Sequence, residues 1–135
     1  MDNNKNILIV EDDLFLLDLY TQFFTQRGYH VTSASDGEEG SKKAFEGKFD
    51  FIILDIMLPK KSGIEVLKDI KAEDSSIKSV PVFMLTSVGY DEIIKNAFQI
   101  GANGYFLKSM ILPKQIIDEV ESFMENENKN QNTNQ

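Results

Sequence analysis

The chain contains no cysteine, so a disulfide framework, a thiolate metal site and a cysteine nucleophile are all excluded. It has no excess of positive charge either. Lysine and arginine number 14 against 22 aspartates and glutamates, a formal charge of −8. That argues against a sequence-independent grip on nucleic acid or anionic lipid, both of which need clustered Lys and Arg. The N-terminus, Met1 to Asn6, is polar, and the apolar run Ile7 to Val10 is far too short for a signal sequence or a membrane span. The cytoplasm is the expected location. At 135 residues there is no room for a second ordinary domain.

What remains, 41% apolar and 27% charged residues, has the balance of a globular domain with a real core. Short β-branched apolar runs alternate with helical patterns along the chain, the signature of a parallel sheet covered on both faces. The spacing predicts strands at Asn6–Val10, His30–Ala34, Phe51–Leu54, Val82–Thr86 and Gly104–Leu107. Helical spacing lies between them, as in Leu16, Leu19, Tyr20 and Phe23 or Ile93, Ala97 and Phe98. Asp36 and Ser62 each stand three residues before a glutamate, the spacing of a capping box, and Pro113 suits a first helical turn. Gly28, Gly47 and Gly101 fall where left-handed residues end helices. From Asn126 to Gln135 no apolar residue occurs, which predicts a disordered polar tail or the start of a linker after a domain spanning 4–125.

Right-handed crossovers bring the C-terminal ends of parallel strands to one edge of a sheet, and here that edge is acidic. Glu11, Asp12 and Asp13 follow the first strand and Asp55 ends the third. Alone, a Glu-Asp-Asp run reads as a solvated loop, and Asp13 reads best as a helix N-cap. The coincidence with Asp55 favours a cation site, because crowded carboxylates repel one another unless an ion sits among them. Oxygen-only ligands suit a hard ion such as Mg²⁺, with Mn²⁺ a second candidate. Thr86 and Lys108 end two further strands and add a hydroxyl and an ammonium, chemistry that suits the oxygens of a phosphoryl group in transfer.

Taken in order, Ile7-Leu8-Ile9-Val10-Glu11-Asp12-Asp13, Leu54-Asp55-Ile56-Met57-Leu58-Pro59, Ser62-Gly63, Leu85-Thr86-Ser87 and Gly104-Tyr105-Phe106-Leu107-Lys108 resemble the response-regulator receiver family from about Asn4 to Glu125. The resemblance implies a flavodoxin-like, doubly wound α/β fold, a five-stranded parallel sheet of order 2-1-3-4-5 with five helices. It implies a switch phosphorylated on Asp55 by a sensor histidine kinase, a phosphotransfer protein or a small donor such as acetyl phosphate. The protein would catalyse its own phosphorylation and dephosphorylation without being a conventional turnover enzyme. It further implies Mg²⁺ ligation by Asp12, Asp55, the Met57 carbonyl and, through water, Glu11, with Lys108 and Thr86 on the phosphoryl group. Tyr105 would follow Thr86 and form a face for a downstream protein partner.

Two departures stand out. Lys108 precedes Ser109 where most of the family has a proline after a cis bond, and a cis bond here would cost roughly 3 kcal/mol, so a trans bond is expected. Gly101 to Gly104 lacks the paired aspartates of the winged-helix transcription factors. Met57 and Val88 flank the expected path of the attacking water and cannot orient it, which predicts slow self-dephosphorylation. Other classes fit less well. A flavin module would need a phosphate loop where Glu11 to Asp13 stand, a haloacid-dehalogenase-type phosphatase would need an acid at Met57, and a non-phosphorylated relative would usually have lost Asp55 or Lys108. His30, with no ligand partner in the pattern, reads as a structural or surface residue, and Met110, Ile111 and Leu112 as either core or partner surface.

Overall fold

Burial of both faces explains why Phe51-Ile52-Ile53-Leu54 reads as an unbroken apolar run: each of these residues is almost wholly excluded from water at the centre of a sheet. The computed structural model describes residues 4–87 and 89–133, with side chains to residue 127. Strands β1 (Asn6–Val10), β2 (His30–Ala34), β3 (Phe51–Asp55), β4 (Val82–Thr86) and β5 (Gly104–Leu107) alternate with helices α1 (Leu14–Gln26), α2 (Gly37–Glu46), α3 (Gly63–Lys71), α4 (Asp91–Ile100) and α5 (Pro113–Thr133). All pairings are parallel, and the order is β2-β1-β3-β4-β5. This is the flavodoxin-like architecture the sequence pointed to.

Strand alternation divides the core in two. Leu8, Val10, Ile52, Leu54, Val82 and Met84 face one side, with Val66, Leu67 and Ile70 of α3 and Ala97 of α4. Ile7, Ile9, Phe51, Ile53, Phe83 and Leu85 face the other, against α1 and the Ile116, Ile117 and Val120 face of α5. No helix among the described residues is long and apolar enough to cross a membrane.

Local signals hold in detail. Asp13 caps α1, its Oδ1 accepting from Phe15 N at 3.0 Å and Leu16 N at 3.1 Å. Asp36 caps α2 through Glu39 N at 2.8 Å, and Ser62 caps α3 through Glu65 N at 3.2 Å. Gly28 and Gly101 carry φ of 95° and 130°, where a side chain is strained. Gly47 departs from expectation: its φ of −103° and ψ of 177° are ordinary extended backbone, so α2 ends there without a left-handed residue. The expected break at Asn126 is also not a break in the backbone. α5 continues to Thr133, since neither glycine nor proline interrupts it and a helix closes its own hydrogen bonds whether or not it is packed. No peptide bond among the described residues is cis, so Lys108–Ser109 is trans as expected.

Candidate functional site

Register determines which strand ends meet. Val10 pairs with Leu54, Asp55 with Leu85 and Thr86 with Leu107, so the residues that leave β1, β3, β4 and β5 form one continuous edge. Asp55, in phase with Phe51 and Ile53, is 2% exposed, and Glu11 is fully buried. Carboxylate oxygens of Glu11, Asp12 and Asp55 all lie within 4.8 Å of one another, with Asp12 at the solvent side. Asp13 turns away to its capping role.

Lys108 closes the cluster from β5. Its backbone N donates to Thr86 O at 2.8 Å, which pins the residue beside the end of β4. Its Nζ donates to Asp55 Oδ2 at 2.8 Å and lies 2.7 Å from Glu11 Oε1. The second contact is an ion pair with a buried oxygen, and apart from Lys108 no group among the described residues donates to Glu11 Oε1. Glu11 Oε2, by contrast, accepts from Asp13 N at 3.2 Å.

The electrostatics follow from this packing. Burial pushes the Glu11 carboxyl up to about 7; Lys108 pulls it down and Asp55 pushes it further up. Burial would lower the Lys108 ammonium, but Asp55 and Glu11 together outweigh it and hold the lysine above its ordinary value. A donor set made only of oxygens, three carboxylates within 4.8 Å of one another with one lysine to offset them, fits a hard divalent cation.

The β3–α3 connection lines the site's remaining side. Met57 N donates to Asp55 Oδ1 at 3.3 Å, and the Met57 side chain is 60% exposed. Gly63 N donates to Ile56 O at 2.8 Å, and a Cβ on Gly63 would collide with the Asp55 backbone oxygen. Thr86 is fully buried in phase with Val82 and Met84. Tyr105, the register partner of Met84, packs its ring edge-on against Phe98 of α4 at 6.0 Å and is 41% exposed. Gly63 entered the sequence reading only as part of the Ser62-Gly63 motif, and its close approach to the Asp55 backbone is a contact that no residue pattern encodes. Val88 lies outside the described residues. His30 is an exposed residue at the start of edge strand β2, away from the site. Met110 and Leu112 are exposed beside Lys108, whereas Ile111 packs on the α1/α5 side of the core.

Residues 7–121 match the response regulator receiver domain. The chain belongs to that family. It is 39% identical over 107 residues to the alkaline phosphatase synthesis transcriptional regulatory protein PhoP of Bacillus subtilis, covering 78% of this chain and 42% of that one. It therefore spans less than half the length of that relative. A CheY-like receiver domain from Methanospirillum hungatei superposes with a TM-score of 0.84 at 27% identity, covering 93% of this chain and 98% of the other. The receiver domain of a Pseudomonas aeruginosa sensor histidine kinase, solved with a magnesium ion coordinated in its active-site cleft, gives a TM-score of 0.77 at 25% identity over 87% and 95% of the two chains. As a receiver domain of two-component systems, the chain is of the kind that carries phosphorylation-dependent signals. Such domains bind Mg²⁺ at an acidic pocket and interact with histidine kinases and downstream partners.

Proposed function

We propose that Asp55 is the phosphoacceptor of this receiver, and that a sensor histidine kinase or phosphotransfer protein is its donor. The observation that carries the reading is the position of Lys108 Nζ, 2.8 Å from Asp55 Oδ2, beside a carboxylate cluster that needs a cation. In the transfer an Asp55 oxygen forms the new bond to phosphorus as the phosphorus–nitrogen bond of a phosphohistidine breaks, and the imidazole leaves with the electron pair. Asp12, Asp55 and the Met57 carbonyl would hold Mg²⁺ or Mn²⁺, with Glu11 acting through water. The ion would supply neutralisation of the negative charge that gathers on the phosphoryl oxygens. Lys108 exchanges its Asp55 contact for a phosphoryl oxygen, and the Thr86 hydroxyl takes another.

Thr86 and Tyr105 stand on the same face of the sheet, next to α4, and that face is the proposed output surface. The partner is a protein; the surplus of acidic residues disfavours direct contact with nucleic acid. Apolar Met57 and Val88 would leave the hydrolytic water unoriented, so the acyl phosphate should persist.

Incubation with Mg²⁺ and acetyl phosphate followed by intact-mass analysis tests the assignment. Wild type should gain one phosphoryl group and Asp55→Asn none. Equal gain in both would show that another residue is the acceptor.

A further inference from the structure

Lys60 is one of two non-glycine residues among those described with a left-handed φ, at 70°. It is the middle of a three-residue turn in which Lys61 N donates to Pro59 O at 2.8 Å, the rarer and more strained form of γ-turn. A glycine would adopt this backbone without penalty, so a lysine here implies that neighbours hold the strain in place.

The neighbours belong to α2. Pro59 O also accepts from Gly37 N at 3.1 Å, and Lys60 Nζ lies 3.5 Å from Asp36 Oδ2, the carboxylate that caps α2. A Cβ on Gly37 would run into Lys61 O, so helix and turn meet backbone to backbone. Lys61 reaches Ser41 of α2 and Asp69 of α3. At the other end the loop is closed by Gly63 N on Ile56 O, against the Asp55 backbone. Pinned at base and tip, the segment from Met57 to Ser62 has little slack, and its first residue is the one whose N–H holds Asp55 Oδ1.

We propose that Lys60 is a positioning residue for the cation site: its strained turn and its ion pair with Asp36 fix the path of the loop, and through it the Met57 backbone beside Asp55. This rests on the assignment of the Met57 carbonyl as a ligand. The side chain itself touches neither the acidic cluster nor Asp55; it acts through α2. Residues that support metal ligands from outside typically cost ten- to a hundredfold in affinity when changed.

The test compares Lys60→Gly and Asp36→Asn with wild type. The first frees the turn, and the second keeps an N-cap while removing the charge. Mg²⁺ dissociation constants are measured calorimetrically, with thermal midpoints of the metal-free proteins alongside. Lys60→Gly should bind Mg²⁺ about tenfold more weakly, at the low end of that range, while its thermal midpoint is unchanged or raised by the release of strain. Asp36→Asn should weaken Mg²⁺ binding in the same direction. Wild-type Mg²⁺ affinity in Lys60→Gly overturns the proposal. So does a loss of affinity that is matched by a fall in its thermal midpoint, which would mark a merely structural residue. Acetyl phosphate labelling of wild type is read separately. Its failure would remove Asp55 as acceptor, while the Mg²⁺ comparison would still decide the role of Lys60.

Discussion

A fully buried glutamate beside a buried aspartate is unfavourable, and in the metal-free protein Glu11 shows this in its hold on a proton, pushed up to about 7 from 4.5. The folded chain binds that proton more tightly than the unfolded chain. The stability contributed by Glu11 is therefore fully present below pH 4.5 and is lost as the pH rises through about 7. Lys108 has the opposite charge and a raised pKa, so its contribution is lost only well above this window. Urea unfolding in the presence of a chelator at pH 5 and pH 8 isolates the effect. Wild type should lose more stability between the two than Glu11→Gln, which cannot titrate. Identical pH dependence in the two proteins would mean that Glu11 is already ionised at pH 5. The sequence made the acidic cluster legible because Glu11 and Asp55 sit at strand ends. It did not reveal which of the carboxylates would be dry, since burial at an edge depends on how Lys108 folds across it.

At the scale of elements, neighbouring acids in one loop divide their work. Asp13 spends both available contacts of its Oδ1 on the first turn of α1, whereas Asp12 stands at the solvent side of the cation cluster. Asp13→Ala should cost about 1 kcal/mol of stability, the usual loss for an N-cap, with little change in Mg²⁺ affinity. Asp12→Ala should do the reverse. Equal Mg²⁺ loss in both variants, measured by titration, would erase the distinction. The strand bounds and the three caps could be read from sequence because each rests on a local pattern of alternation or spacing. The left-handed Lys60 could not. Its conformation is imposed by α2, distant along the chain, and glycine, the residue that would have signalled it, is absent from that position.

For the molecule as a whole, the question is where the packed unit ends, and α5 supplies the answer through its contacts. Ile116, Ile117 and Val120 are buried against the sheet, and Phe123 and Met124 pack beside them. Phe123 meets Phe83 edge-on at 5.2 Å. Glu121 accepts from Arg27 at 2.6 Å and from Tyr29 at 2.9 Å, tying the helix to the α1–β2 turn. After Met124 there is no apolar residue in the chain. The helix runs on to Thr133 through a sequence with no apolar side chain to bury, and helical turns without an apolar face to pack are marginal in water. The folded unit is therefore expected to close near Glu125 even though the helix does not. Ending the chain at Asn126 should leave the urea midpoint and the Mg²⁺ affinity at their wild-type values. Phe123→Ala, within the packed part, should cost about 2 kcal/mol, less than a fully buried phenylalanine because this one is only partly covered. A loss of stability in the truncated chain comparable to that of Phe123→Ala would place the polar segment inside the cooperative unit, held there by contacts that its composition does not suggest.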